Sequence, residues 1–325
     1  MTLSLPRTLI DMKKIAFSLL LLASYGSATA APRIFVTNEL GNTVSVIDSA
    51  TNTVSATIPV GKRPRGIGVA PDGREIYVAI SGDSVIAVID AHSLKVVRTF
   101  SSGEDPETFA VHPNGNLYIS NEENAKASVY DPKTGKLLAE IKVGIEPEGV
   151  AISPDGSRVI VTSESTNMLH VIAIPEHKIV ANILVGARPR SASFSADGKT
   201  AYATSEISGE VKKINVASGK IIGHMPLADD KAKPKDIIPS RDGQRLFVAG
   251  GRANRVFVLD EKTLDIIHQI PVGKRVWGLA LSRDGKQLYT TDGASDQVSV
   301  IDVSASKVTA VIPVGKSPWG IAICD

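Results

Sequence analysis

Residues 145–161 read IEPEGVAISPDGSRVIV, so a Ser-Pro-Asp-Gly turn here separates two runs of strand-forming residues. Versions of this turn recur along the chain at 70–73, 112–115, 153–156, 195–198, 240–243 and 282–285. Their starting points lie 42, 41, 42, 45 and 42 residues apart. Pro at the second position and Gly at the fourth favour a type I turn. A period of this length indicates an array of repeated structural units.

Each repeat predicts four short antiparallel strands. The strand after the turn is followed by one that ends near Val-Ile-Asp, as at 46–48, where Asp suits a tight turn. A third strand ends at Ile-Pro-Val-Gly, as at 58–61, and a fourth leads to the next turn. Four strands per repeat indicate an all-β protein, a β-propeller. Seven copies of every strand predict seven blades, and we expect the C-terminal inner strand at 319–324 to close the ring against residues 33–60.

The first 30 residues predict a secretory signal peptide. Lys13 and Lys14, directly after Met12, precede an apolar run over 15–23 and the cleavage-site sequence Ala28-Thr29-Ala30, which is the typical order of such a signal. Met12 is a candidate true start, because residues 1–11 add nothing that a signal needs. We therefore expect a mature domain over 31–325 in the periplasm, with 33 basic and 33 acidic residues and a net charge of zero.

The repeats resemble a known family. In order, residues 35–38 read FVTN, 44–48 read VSVID, 58–61 read IPVG and 64–67 read PRGI. This pattern resembles the YVTN family of β-propeller repeats over residues 33–325. With its export signal and seven repeats, the chain also resembles the β-propeller proteins associated with pyrroloquinoline-quinone (PQQ)-dependent alcohol catabolism. That resemblance implies a WD40/YVTN-like fold, a periplasmic accessory role and a quinoprotein dehydrogenase system as partner.

Common catalytic and cofactor motifs are absent from the sequence. It has no C-x-x-C-H haem site, no G-x-S-x-G nucleophile elbow and no phosphate loop. The single cysteine, Cys324, falls on a predicted inner strand and excludes Cys-cluster metal sites. Six histidines occupy unrelated repeat positions and are interpreted as structural or surface residues. These observations favour a protein without a catalytic set or a cofactor, although an enzyme remains an open alternative.

One repeat position predicts a binding site. In a blade that starts with its innermost strand, the loop entering that strand opens at the mouth of the central channel. The position after the loop proline holds Arg65, Glu107, Glu148, Arg190, Lys235, Trp277 and Trp319. Two residues earlier the chain has Arg63, Asp105, Glu146, Arg188, Lys233, Arg275 and Ser317. Both tryptophans of the chain share one repeat position in adjacent blades. We expect one arc of the mouth to be basic and aromatic, and the other to be acidic.

The loop between the second and third strands should open on the same face and add acids there, namely Glu39, Glu122, Glu123, Glu164 and Glu206. Two interpretations remain open. The acids could pair with the arginines and join the blades, or the mouth could be a polarised site in which Arg binds carboxylates and Trp stacks on planar rings. The weak candidates for a bound cation are Glu107, Glu122, Glu148 and Glu164, since Ca²⁺ takes oxygen ligands.

Three functions are compatible with these residues. The leading hypothesis is a non-catalytic periplasmic accessory protein that binds a small planar or anionic ligand, or a protein partner, at the mouth. The second is a hydrolase or lactonase that uses a cation at the mouth. The third is single-stranded nucleic-acid binding, which needs basic groups and stacking aromatics. The zero net charge of the mature chain and the nearby carboxylates argue against the third.

Overall fold

A computed structural model describes residues 1–3 and 31–325 of the 325-residue chain. The predicted signal peptide and the start at Met12 lie outside the described residues. Residues 31–325 form one compact unit of seven four-stranded antiparallel sheets. The seven-bladed β-propeller is therefore confirmed. No helix among the described residues is long and apolar enough to cross a bilayer.

The strands are numbered in chain order, and each blade is given with its innermost strand first. Blade 1 contains β28 (Pro318–Cys324), β1 (Arg33–Asn38), β2 (Thr43–Asp48) and β3 (Thr53–Pro59). Blade 2 contains β4 (Pro64–Val69), β5 (Glu75–Ile80), β6 (Val85–Asp90) and β7 (Lys95–Ser101), with a 3-10 turn at Ser81–Asp83. Blade 3 contains β8 (Pro106–Val111), β9 (Leu117–Asn121), β10 (Lys126–Asp131) and β11 (Lys136–Lys142). Blade 4 contains β12 (Pro147–Ile152), β13 (Arg158–Ser163), β14 (Met168–Ala173) and β15 (Lys178–Leu184).

The remaining three blades follow the same order. Blade 5 contains β16 (Pro189–Phe194), β17 (Thr200–Ser205), β18 (Glu210–Asn215) and β19 (Lys220–Pro226). Blade 6 contains β20 (Ile237–Pro239), β21 (Arg245–Ala249), β22 (Arg255–Asp260) and β23 (Ile266–Pro271). Blade 7 contains β24 (Val276–Leu281), β25 (Gln287–Asp292), β26 (Gln297–Asp302) and β27 (Lys307–Pro313).

The ring closes as the repeat count predicts. Strand β28 pairs antiparallel with β1, with Cys324 opposite Arg33 and Ile323 opposite Ile34. Blade 1 therefore combines the C-terminal strand with the three N-terminal ones, and this pairing removes two strand edges that a linear array would leave open.

The core lies between neighbouring blades. Phe35 and Val46 of blade 1, for example, share one buried cluster with Ile76 and Val78 of blade 2. Because the middle strands are covered on both faces, their sequences are nearly continuous apolar runs. Cys324 is also buried in this cluster, in agreement with its interpretation as a small packing residue.

Two local features aim side chains at the channel mouth. In four blades the register between the first two strands shifts just after the loop proline, as between Pro64 and Ile67, and in blade 7 it shifts after Val276, which replaces the proline. The residue after the proline lies in this bulge, and bulges re-aim side chains. The second strands also contribute hydroxyls that donate to a mouth residue of the next blade. Thr37 Oγ1 bonds the Arg65 carbonyl at 2.7 Å, and Thr291 Oγ1 bonds the Trp319 carbonyl at 2.7 Å.

Candidate functional site

The inner strands bring the seven mouth residues predicted from the sequence to one end of the channel. Six of them line two adjoining cavities there. The seventh, Glu107, is fully buried and forms an ion pair with Arg65. The outer cavity, which we call the mouth, has a volume of about 350 Å³. Its basic lining residues are Arg63, Arg65, Arg188, Arg190, Lys235, Arg252 and Arg275. Its acidic lining residues are Glu39, Glu122, Glu148 and Glu206.

The two tryptophans form one aromatic surface in this mouth. The rings of Trp277 and Trp319 stack with centroids 5.7 Å apart and an interplanar angle of 27°. Both side chains are half-buried. Lys235 Nζ lies 4.2 Å from the Trp277 centroid, and the Arg65 guanidinium lies 6.0 Å from that of Trp319. Both tryptophans therefore lie on one face of the mouth, beside Arg65 and Lys235, and the expected aromatic arc is confirmed.

Trp277 is held in a shell of positive charge. Besides Lys235, the guanidinium carbons of Arg275 and Arg190 lie 5.0 and 5.2 Å from its ring centroid. Each is within the distance at which a cation is attracted to the ring face. A planar anion at this indole would meet an aromatic surface and the guanidinium of Arg275, which forms no ion pair among the described residues.

The space for Trp277 comes from a missing carboxylate. The first residue after the second strand is Glu39, Glu122, Glu164 or Glu206 in four blades, but Gly293 in blade 7. A Cβ at Gly293 would lie 2.7 Å from Trp277 Cδ1, closer than packed atoms tolerate. The absence of a side chain here therefore removes a rim acid and admits the indole at the same place.

Acids elsewhere on the rim form ion pairs across the boundaries between blades. Arg65 of blade 2 joins Glu39 of blade 1, at 3.0 Å, to Glu107 of blade 3. Lys235 of blade 6 pairs with Glu206 of blade 5 at 2.6 Å. The interpretation that rim acids pair with basic residues and join the blades is thus confirmed for these acids.

Arg190 is the most densely paired residue of the mouth. It lies 7% exposed and pairs with Glu148 at 2.8 Å, with Glu164, and with Glu206 at 3.6 Å. The expected separation into a basic and an acidic arc therefore needs correction, because Arg190 neutralises Glu148 and Glu164 within the acidic arc. A buried charge of this kind is tolerated only with such partners.

Two arginines on the side of the tryptophans have no carboxylate partner among the described residues. Within the described residues, neither Arg252 nor Arg275 forms an ion pair, and both are exposed at the mouth. Arg252 was missed by the sequence reasoning. It lies on the loop after β21, and only the acids of that loop position were considered.

Burial shifts the protonation of several residues in and beside the mouth. Loss of solvent and the nearby charge of Glu148 raise the pKa of Glu164 to about 7. Burial, with Glu148 again, also raises the pKa of Glu122. Burial and the charge of Arg190 lower the pKa of Lys235 to about 8. The charge of the mouth therefore changes within the physiological pH range.

The four candidate cation ligands do not come together. Carboxylate oxygens of Glu107 and Glu122 do lie within 4.8 Å of one another and of Asp105. Glu148 and Glu164 instead face Arg190. The oxygen set around Asp105 has the donor type that Ca²⁺ prefers, but it has fewer than the six to eight ligands that Ca²⁺ takes.

Two histidines make structural hydrogen bonds. His112 Nδ1 accepts from the Asn114 amide at 3.1 Å, so its Nε2–H donates to the Gly156 carbonyl at 2.9 Å. His170 Nε2 accepts from the Gly144 amide at 2.9 Å. Their interpretation as structural residues is confirmed.

Solved structures with the same fold have diverse descriptions. Kuenenia stuttgartiensis hydrazine synthase is 23% identical, with a TM-score of 0.72 over 79% of this chain and 88% of that one. A functionally unknown protein from Desulfotomaculum acetoxidans DSM 771 is 17% identical, with a TM-score of 0.79 over 90% and 99%. A protein provisionally assigned as a 6-phosphogluconolactonase, from Bacteroides uniformis ATCC 8492, is 19% identical, with a TM-score of 0.76 over 91% and 100%. At these identities the likeness shows the fold alone.

Sequence comparison gives the family. A search of curated protein sequences found no significant match. The family model for YNCE-like beta-propellers matches residues 13–130 and 240–325, which is more than half of the chain. The resemblance to propellers of PQQ-dependent catabolism has no counterpart in these matches. The chain belongs to the YNCE-like beta-propeller family.

Proposed function

We propose that this protein is a non-catalytic binding propeller whose channel mouth takes a small planar organic anion. The observation that carries the proposal is the Trp277–Trp319 stack beside Lys235 and the unpaired Arg252 and Arg275. An indole face binds a planar ring by stacking, and arginine forks bind carboxylates through paired hydrogen bonds. Few other groups in the mouth are both exposed and free to bind.

Intrinsic fluorescence tests this proposal directly, because both tryptophans of the chain lie in the mouth. Titration with benzoate should change the emission saturably, whereas benzyl alcohol, which has the same ring without the charge, should have a much weaker effect. Equal responses to both compounds, or none to either, would contradict the proposal.

A pair of arginine variants locates the site. Arg275→Gln should weaken benzoate binding by at least about tenfold, since a charge-assisted hydrogen bond is worth about 1.5–3 kcal/mol. The matched control is Arg283→Gln, because Arg283 is 84% exposed and lies in the turn at the far end of its inner strand. Equal weakening by both variants would indicate nonspecific attraction between charges.

For the physiological role, we propose an exported accessory protein of PQQ-dependent alcohol catabolism that acts in the periplasm beside a quinoprotein dehydrogenase. The export pattern at 12–30 and the repeat resemblance support this role. Cell fractionation tests the location. Deletion of the gene followed by growth on alcohols tests the role, and unchanged growth with unchanged dehydrogenase activity would argue against it.

A cation-dependent lactonase is the second candidate. It is favoured by the approach of Asp105, Glu107 and Glu122 at the mouth and by fold similarity to the provisionally assigned lactonase from Bacteroides uniformis. Hydrolysis of 6-phosphogluconolactone that depends on Ca²⁺ and is lost in Glu122→Gln would support it. Equilibrium dialysis without bound divalent metal would exclude it.

A further inference from the structure

A second cavity continues from the mouth into the channel, with a volume of about 180 Å³. Its walls change character with depth. The residue two positions after each mouth residue is apolar in all seven blades. Five of these side chains line the cavity, namely Ile67, Phe109, Val150, Leu279 and Ile321. Two residues along a strand advance about 7 Å, so an apolar layer lies one side chain below the charged one.

The polar groups of this cavity are already engaged inside the protein. Thr108 Oγ1 donates to the Glu148 carbonyl at 2.7 Å, and Ser191 Oγ donates to Asp236 Oδ1 at 2.8 Å. Asp236 Oδ2 accepts from the Leu279 amide at 3.0 Å. A carboxylate that accepts these bonds offers no donor to an anion. An anionic group therefore finds its hydrogen-bond donors at the mouth and not below it.

A cavity with apolar walls below a charged rim suits a ligand that has one apolar part and one charged part. Pockets for small molecules are mainly apolar, with a few polar groups that fix orientation. We propose that the channel cavity holds the apolar substituent of the ligand, so that the ligand is an amphipathic organic anion with its charged planar head at the Trp277–Trp319 stack. This inference rests on the proposed function and specifies the ligand class. The volume suits a short substituent, because a whole drug-sized ligand takes a pocket of about 300 Å³ or more.

A homologous series of probes tests the inference. Benzoate and its 4-methyl, 4-propyl and 4-pentyl derivatives share one head and differ only in the substituent. Burying one methylene is worth about 0.8 kcal/mol, which corresponds to an affinity gain of up to about fourfold per carbon. We expect the dissociation constant to fall along the series by at least twofold per carbon until the cavity is filled.

Each outcome of the series has its own consequence. Benzoate binding with no gain from the substituent would overturn this inference and leave the proposed function standing. No binding of any member would overturn both. An affinity gain that grows with the length of the substituent supports the inference if substitution of a residue in the channel wall reduces that gain.

Val150 and Val180 provide a matched pair in one blade. Val150 lines the cavity, whereas Val180 lies 57% exposed on the outer strand. Val150→Asn should reduce the affinity advantage of 4-pentylbenzoate over benzoate at least threefold, with benzoate affinity itself nearly unchanged. Val180→Asn should leave both values as in the wild type. Melting curves confirm that both variants fold, and an unreduced advantage in a folded Val150→Asn protein would contradict the channel as the site.

Discussion

The two sides of the mouth, blades 3–5 and the side formed by blades 6 and 7 with Trp319 of blade 1, are lined in different ways. Around blades 3–5 the rim carries Glu122, Glu164 and Glu206, and buried basic residues neutralise most of the carboxylates. In blades 6 and 7 the matching rim residues are Gly250 and Gly293. There Trp277 of blade 7 stacks on Trp319 of the neighbouring blade 1, and the unpaired Arg252 and Arg275 line the same surface. The comparison teaches that one half of the ring uses its charges to hold blades together, while the other half leaves them available for a ligand.

The largest expected effect is on stability in the ion-paired half. Arg190→Met leaves Glu148, Glu164 and Glu206 without their shared cation. Removing one partner of a buried ion pair costs about 3–5 kcal/mol. Guanidinium denaturation should show a loss of this size. Arg275→Met in the other half should change stability by no more than about 0.5 kcal/mol, and equal losses in the two variants would break the distinction between the halves.

The aromatic half should show the opposite behaviour. Replacing both Trp277 and Trp319 by Ala should weaken benzoate binding by about 2 kcal/mol, the scale of an interface hot spot. Truncation of a core aromatic costs about 3–5 kcal/mol, and the free energy of unfolding of this variant should fall by much less. Calorimetric titration and a melting curve on the same variant separate these results. A large loss of stability would make the pair a packing element.

The rim glycine sharpens the comparison further. Gly293→Glu restores the residue type that four other blades carry at this position, but its Cβ collides with Trp277. The displaced indole and the added negative charge should together weaken benzoate binding about tenfold. Gly293→Ala keeps the collision without the charge, so its smaller loss measures the indole displacement alone. Unchanged binding in both variants would show that Trp277 does not contact the anion.

The smallest expected effect concerns pH in the ion-paired half. Because the pKa of Glu164 is raised to about 7, this carboxyl gains a proton between pH 8 and pH 6, and the ion-paired cluster around Arg190, beside the mouth, loses one negative charge. Benzoate should therefore bind about twofold more tightly at pH 6. The folded protein holds this proton more strongly than the unfolded chain, so the associated stability is lost as pH rises through about 7. Glu164→Gln should reduce both dependences and leave the part that comes from Lys235, whose pKa is lowered to about 8, and a variant that keeps them in full would assign the effect to another group.

The repeat pattern contained most of the fold and part of the site. The turn at 70–73 and its later copies fix the number of blades. Trp277 and Trp319 lie together because they occupy the same position of two adjacent repeats. The partners of Arg190 could not be derived in this way. They come from blades 4 and 5, and which carboxylate reaches the guanidinium depends on the twist and spacing of the blades. The role of Gly293 was hidden for a similar reason, because a missing side chain gives no signal until its neighbour is known.

The most direct test of the binding mouth uses the two indole N–H signals of the protein in a ¹H–¹⁵N spectrum. Only Trp277 and Trp319 contribute them once the chain is labelled, so each peak reports on one ring. We expect both peaks to shift together and to saturate as benzoate is added, with a single dissociation constant, while benzyl alcohol leaves them in place. Indole peaks that stay fixed while benzoate shifts signals elsewhere would contradict the account.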